Sequence, residues 1–180
     1  DAFFKARYAD PKSSFGDFLA CNSTIDKETA LLISKEVSDG IIAPKYTEDA
    51  LNILQKKKNG KYLILQAEYN KPWKNDEQVR QMFGTTLYQT RSNQQLDKKI
   101  IHYLDCEKYK SAIVAFHTAK YTQSNSVVIA SEGIACGIGA GQQNRVDCIE
   151  IAGKKANEWL SRQVEPSKEF SLSGRLTDEF

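Results

Sequence analysis

Residues 26–60 read DKETALLISKEVSDGIIAPKYTEDALNILQKKKNG, and helix and strand signals alternate within this stretch, which decides the fold class. Asp26 is placed to cap a helix over 26–37, along which Ala30, Ile33 and Val37 recur on one face. Ile41, Ile42 and Ala43, closed by Pro44, make the short apolar run of a buried strand. A second helix starts after Thr47 as cap, with Glu48 and Asp49 in its first turn, Lys56, Lys57 and Lys58 in its last, and Asn59-Gly60 to stop it. The lysine run matches the negative end of that helix's dipole, which makes it an end signal and not a nucleic-acid patch.

The same alternation continues outward. Residues 62–66 read as a strand, 71–73 as a loop, 82–89 as a second strand interrupted by Gly84, and 92–99 as a polar surface connection. A helix is predicted over 107–121, with Tyr109, Ala112, Ile113, Phe116 and Ala119 or Lys120 on its inner side. Residues 126–131 and 134–138, joined through Glu132-Gly133, form a hairpin. The last strong element is a helix over 145–160 whose stripe is Val146, Ile149, Gly153, Ala156 and Leu160. Gly153 inside that stripe implies close packing against a neighbour. Helices and strands in this order, without internal repeat, predict an α/β fold of three αβα layers with a mixed sheet. The tail after Val164 carries little pattern.

Composition narrows the class. A chain of 180 residues that is 41% hydrophobic can bury a core. Its 25 basic and 23 acidic side chains are scattered, which argues against a nucleic-acid partner. No apolar run is long enough to span a membrane, and the start, Asp1-Ala2-Phe3-Phe4-Lys5, has no signal-peptide core or initiator Met and reads as a cut end. Cys21, Cys106, Cys136 and Cys148 lie far apart without C-x-x-C spacing, so they read as reduced thiols of a cytoplasmic protein.

Four segments could carry chemistry. Residues 137–145, GIGAGQQNR, join a strand to a helix, where glycine lets backbone amides approach an anionic or polar ligand. Arg145 is a cation at the positive end of that helix, disfavoured there by roughly 0.3 to 1 kcal/mol. Either a carboxylate such as Asp147 or Glu150 offsets it, or a ligand does. Residues 120–126 crowd amide, hydroxyl and ammonium groups into a turn that also suits helix capping. Residues 13–17 and 38–40 each set small residues beside a carboxylate at a strand edge, where both ligands and ordinary turns are found. His102 and His117 have no partner at metal-ligand or triad spacing, so no metal is expected, and the H-x-E and P-C-x-x-C signature of zinc deaminases is missing.

Taken together, SSFGDF (13–18), EVSDGIIAPKYTEDAL (36–51), KKKNGKY (56–62), KYTQSNSV (120–127), GIGAGQQNRVDC (137–148) and AGKKAN (152–157) resemble, in order and spacing, strings of the AICAR transformylases. These are the transformylase part of bifunctional purine-biosynthesis enzymes that also carry IMP cyclohydrolase. The resemblance runs from about Ala2 to Arg162 and fades after Ser167. It implies a cytidine-deaminase-like subdomain over 1–162, with 163–180 a tail or the start of a connection to a second such subdomain, in a homodimer with active sites at the interface. The implied reaction is transfer of a formyl group from 10-formyltetrahydrofolate to the 5-amino group of AICAR in IMP synthesis. In the family a histidine is the base, and a neighbouring lysine stabilises the developing oxyanion.

Carried over by motif, Gly16 and Asp39 line the nucleotide pocket, Asn125 orients the reacting amine and carboxamide, Arg145 contacts the nucleotide, and Val146 lies beside the folate. The resemblance also implies a potassium ion near residues 122–126. The family's Lys-His pair lies upstream of the matching stretch and its Phe-Pro-Phe folate segment downstream. No adjacent Lys-His occurs in this sequence, so the isolated chain is expected to be inactive in formyl transfer. Asn144 stands where many relatives have serine. The rival reading is a non-catalytic paralogue of the same fold that binds nucleotide or a partner chain.

Overall fold

The computed structural model describes residues 2–12, 14–68, 77–92, 94, 96 and 104–163. They divide into two units, one continuous (Phe15–Gln95) and one assembled from Asp1–Ser14 and Leu96–Phe180.

The continuous unit is built on a parallel sheet of β1 (Phe18–Ala20), β2 (Gly40–Ala43) and β3 (Leu63–Gln66), with β2 in the middle and Leu19, Ile41 and Ile64 in register. The middle strand carries the apolar run GIIA and is buried, as a strand paired on both edges and covered by helix must be. Helix α2 (Lys27–Lys35) links β1 to β2, and α3 (Glu48–Leu54) lies between β2 and β3. Both predicted caps form. Asp26 Oδ1 accepts from the Thr29 amide at 2.8 Å, and Thr47 Oγ1 from that of Ala50 at 3.3 Å. The helices pack on each other and, with the sheet, bury Ile25, Ala30, Ile33, Ile41, Ala43, Ala50, Leu54 and Tyr62.

Two expectations in this unit change. Helix α3 ends at Leu54, so Lys56, Lys57 and Lys58 do not lie in its last turn. The chain passes instead through a 3-10 turn, Lys57–Gly60, in which Lys58 (φ 53°), Asn59 (φ 54°) and Gly60 (φ 81°) are left-handed in succession and redirect it into β3. The strand expected over 82–89 is really two, β4 (Glu77–Met82) and β5 (Thr85–Thr90), antiparallel about Phe83-Gly84. Both turn residues have positive φ, the primed geometry that suits tight hairpins. The loop at 71–73 and most of the connection at 92–99 fall outside the described residues.

The assembled unit centres on the antiparallel ladder of β6 (Ser126–Ser131) and β7 (Ile134–Ala140), turned through Glu132-Gly133 as expected. A bulge at Cys136 shifts the register, so Ile129 pairs with Gly137 but Ala130 with Ala135. Helix α5 (Arg145–Ser161) lies directly on Gly137 and Gly139: a Cβ there would come 2.2 Å from the Ala152 carbonyl oxygen and 2.0 Å from that of Cys148. Val128, paired with Ile138 between those glycines, faces the opposite way, where with Ala130 it lines an open groove beneath α4 (Cys106–Tyr121). The ladder is thus layered between two helices. The predicted inner residues of α4 are partly buried, and none is fully buried.

Of the stripe predicted for α5, Ala156 is buried as expected, but the rest has the right period and the wrong phase. Cys148, Ala152, Ala156 and Trp159 are buried, whereas Val146, Ile149 and Leu160 are 62%, 54% and 55% exposed. The buried side is the one whose small residues let the backbone touch the glycine strand. Close packing therefore belongs to Gly137 and Gly139, and nothing lies within 4 Å of a Cβ at Gly153. Ile134, Cys136, Ala156 and Trp159 form a core joined by Ala9, which follows the short helix α1 (Ala2–Arg7). The N-terminal segment is tied to α5 by Lys12 to Glu158, Lys155 to Asp10, and Arg162 donating to the Ala9 carbonyl at 3.1 Å.

The class is α/β. Among the described residues the parallel and antiparallel pairings fall in separate sheets, where one mixed sheet was expected. None of the four cysteines is in a disulfide. No described helix is long and apolar enough to cross a membrane. Of residues 163–180, only Gln163 is described.

Candidate functional site

Each unit holds one cluster of the residues singled out in the sequence. In the continuous unit, Gly16 and Asp39 come together where β1 and β2 begin. The Asp39 amide donates to the Asp17 carbonyl at 2.7 Å, and the Leu63 amide donates to the Asp39 carbonyl at 3.2 Å, so strand pairing on both sides fixes its backbone. Its Oδ1 is paired with Lys58 Nζ. Its Oδ2 lies 3.7 Å from where a Cβ would stand at Gly16, whose φ of +76° suits a residue without a side chain. Beneath, the buried Ser38 hydroxyl shares a 3.0 Å hydrogen bond with the Tyr62 hydroxyl. Burial pushes that phenol's pKa up. Lys57 Nζ stands 5.2 Å from the Tyr62 ring centre and donates to the Glu36 carbonyl.

This cluster sits at the amino ends of the parallel strands, opposite to the edge where such sheets usually gather ligands. The strand-end argument from the sequence therefore does not account for it; the pairing of the segments entering β1 and β2 does. Sequence reasoning missed Lys58, whose lysine run was assigned to the end of α3. The usable signal was Asn59-Gly60, a pair that favours left-handed backbone and so a turn that swings the preceding lysine away from the helix axis.

In the assembled unit, Asn125 immediately precedes β6 and follows a cis Ser124–Asn125 peptide bond. Its Nδ2 donates to the Gln142 carbonyl at 3.1 Å and the Gln143 carbonyl at 3.3 Å. Its own carbonyl accepts from the Gly141 amide at 2.9 Å and the Cys148 thiol at 3.1 Å. Asn125 is thus a brace for the glycine-rich loop, and its Oδ1 is left facing no partner among the described residues. Asn144 caps α5, accepting from the Asp147 amide at 2.9 Å while donating to the Asp147 carboxylate at 2.8 Å.

That exchange commits Asp147 to Asn144 and away from Arg145. Arg145 is exposed, and among the described residues neither Asp147, Glu150 nor any other acceptor engages its guanidinium. Val146, next along the helix, is also exposed. In the turn before β6, the Thr122 hydroxyl donates to the Thr118 carbonyl at 2.5 Å as part of the end of α4. His117 is exposed on α4, edge-on to Phe116, and His102 lies outside the described residues. The groove of about 480 Å³ under α4, lined by Ser111, Ala112, Ala115, Val128 and Ala130, contains none of these site residues.

The fold and the two clusters define an α/β protein whose polar candidates collect at strand entries and at a helix start. The family described as the AICARFT/IMPCHase bienzyme matches residues 1–155, and the chain belongs to that family. It is similar to the bifunctional purine biosynthesis protein PurH of Elusimicrobium minutum (strain Pei191), with 35% identity over 92% of this chain and 32% of that protein. The PurH protein of Anoxybacillus flavithermus (strain DSM 21510 / WK1) is 32% identical over 94% of this chain and 34% of its own length. That of Bacillus mycoides (strain KBAB4) is 32% identical over 88% and 32%. The chain spans about a third of the length of the curated relatives it matches.

Proposed function

We propose that this chain supplies the nucleotide-holding part of a purine-biosynthesis formyltransferase, one that moves a formyl group from 10-formyltetrahydrofolate to the 5-amino group of AICAR. Membership of the AICARFT/IMPCHase family supports the reaction class. The observation that carries the reading is Arg145: an exposed cation at a helix start that no acceptor among the described residues engages, behind a loop braced by Asn125. Such a cation gains a partner when the phosphate of a nucleotide arrives, and the planar guanidinium suits bidentate phosphate contact.

In this reading Gly16 and Asp39 line the nucleotide pocket of a cytidine-deaminase-like subdomain, and Val146 borders the folate. Asn125 has its amide nitrogen committed to the loop, so it presents Oδ1 to the reacting amine. The amine of AICAR is conjugated with its carboxamide and weakly nucleophilic, so orienting its lone pair is a substantial part of the task. Base and oxyanion donor belong to the family's Lys-His pair, which this sequence does not contain. A potassium ion near 122–126 belongs to the same reading, because the carbonyl and hydroxyl oxygens there suit a hard cation. The complete enzyme is a cytoplasmic homodimer on this view.

Isothermal titration of the chain with AICAR tests it. Arg145→Ala is expected to weaken binding about tenfold or more with an unchanged melting temperature, since a charged hydrogen bond is lost from an exposed position. Unchanged affinity would remove the central support.

A further inference from the structure

The lysine run 56–58 was read from the sequence as the end of a helix, and the structure gives Lys58 a different place. The chain enters the left-handed region at Lys58 and Asn59 before Gly60, and this excursion carries Lys58 Nζ onto Asp39 Oδ1. Left-handed backbone at a residue with a Cβ is unfavourable. The ion pair it creates joins side chains that are 41% and 47% exposed, and pairs so open to water contribute little stability. Stability therefore does not account for the arrangement.

Its geometric effect is specific. Asp39's backbone is fixed between two strands, Lys58 takes one carboxylate oxygen, and the other is left over the bare backbone of Gly16. We infer that Lys58 is a positioning residue: it holds the Asp39 side chain in one rotamer with Oδ2 turned to a donor group of the bound nucleotide. This rests on the reading of Gly16 and Asp39 as pocket residues. Lys58 itself touches no ligand. It acts through Asp39, which without it would sample rotamers and bind water at both oxygens.

The test is a double-mutant cycle on the 180-residue chain, with AICAR as probe and Kd from calorimetry. Lys58→Met and Asp39→Asn are each expected to weaken binding about tenfold, and the double variant no further than Asp39→Asn alone. Lys58→Arg, which keeps the charge, restores binding to within about threefold. Lys58→Gly relaxes the left-handed backbone while removing the amine, so it separates a lost ion pair from a disturbed turn; it is expected to lose as much affinity as Lys58→Met. If Asp39→Asn weakens binding while both Lys58→Met and Lys58→Gly bind as the parent does, or if the two losses add, the positioning role is overturned and the pocket stands. If the parent chain does not bind AICAR, or Asp39→Asn leaves Kd unchanged, the pocket reading falls and this inference with it.

Discussion

A methyl group at position 139 would stand 2.0 Å from the Cys148 carbonyl oxygen and 2.8 Å from its carbon, and neither obstacle is a side chain that can swing away. Gly139→Ala is therefore expected to lower unfolding free energy by about 3 kcal/mol, at the upper end of overpacking, as read by urea denaturation. Gly153→Ala has open space around it in a helix interior and is expected to raise stability by roughly 0.5 to 1 kcal/mol in the same assay. The two signs are opposite to what the stripe on α5 suggested. Period can be read from a sequence; phase depends on which side meets the sheet, and Cys148 and Ala152 are too small to have advertised themselves as the buried side. Asn125→Ala removes two donations to the glycine-rich loop, so a stability loss of about 1 to 2 kcal/mol is expected in the same assay. An unaltered denaturation midpoint would show that the brace is energetically idle.

At the scale of elements, the helix starts were the most legible features. Thr47 caps α3 as its sequence implied, and Asp26 and Asp105 cap α2 and α4, with the latter helix starting one residue before the predicted boundary. The Asp26 and Asp105 carboxyls are held below the usual carboxylate range, chiefly because the amides of Thr29 and Lys108 donate to the ionised form. Folded values below unfolded ones mean that the unfolded chain binds more protons in acid. Their contribution is complete above the unfolded value, near pH 4, and fades as pH falls through the folded values. Melting temperature measured from pH 5 down to 2.5 should fall less steeply in Asp26→Asn and Asp105→Asn, which keep a cap but not the titration. An unchanged slope would count against the linkage. Strands were less legible: the 82–89 reading treated Gly84 as an interruption of one strand, when with Phe83 it is the reversal between two. Local pattern does not reveal pairing, and a bulky Phe83 at positive φ conceals the turn.

On the scale of the whole molecule, the clusters were legible as motifs but not as arrangements. Gly16 and Asp39 were named from separate strings, and their contact needed the parallel register of β1 and β2 to be known. The division of the chain was not legible at all, because nothing in residues 1–14 shows that they belong with the residues from Leu96 on. Lys12, Asp10 and Ala9 tie this segment to Glu158, Lys155 and Arg162. Burial also lowers the pKa of the Arg162 guanidinium, which remains charged. Removing residues 1–14 should accelerate hydrogen exchange in β7 and the last turns of α5 while leaving amides of β2 and α2 protected. Equal acceleration in both units would contradict the division.

That interleaved wiring has a consequence for biosynthesis. Residues 15–95 leave the ribosome as one block and can condense with contacts short in sequence, whereas the segment that precedes them is tied through Ala9, Asp10 and Lys12 to residues of α5 and its end about 150 positions later. Contacts that span so long a separation form slowly, because the intervening chain must be constrained before they reward it. During translation that segment, which includes Phe3, Phe4 and Tyr8, therefore stays without its partners while residues 15–95 condense, and such segments are the kind that holding chaperones bind.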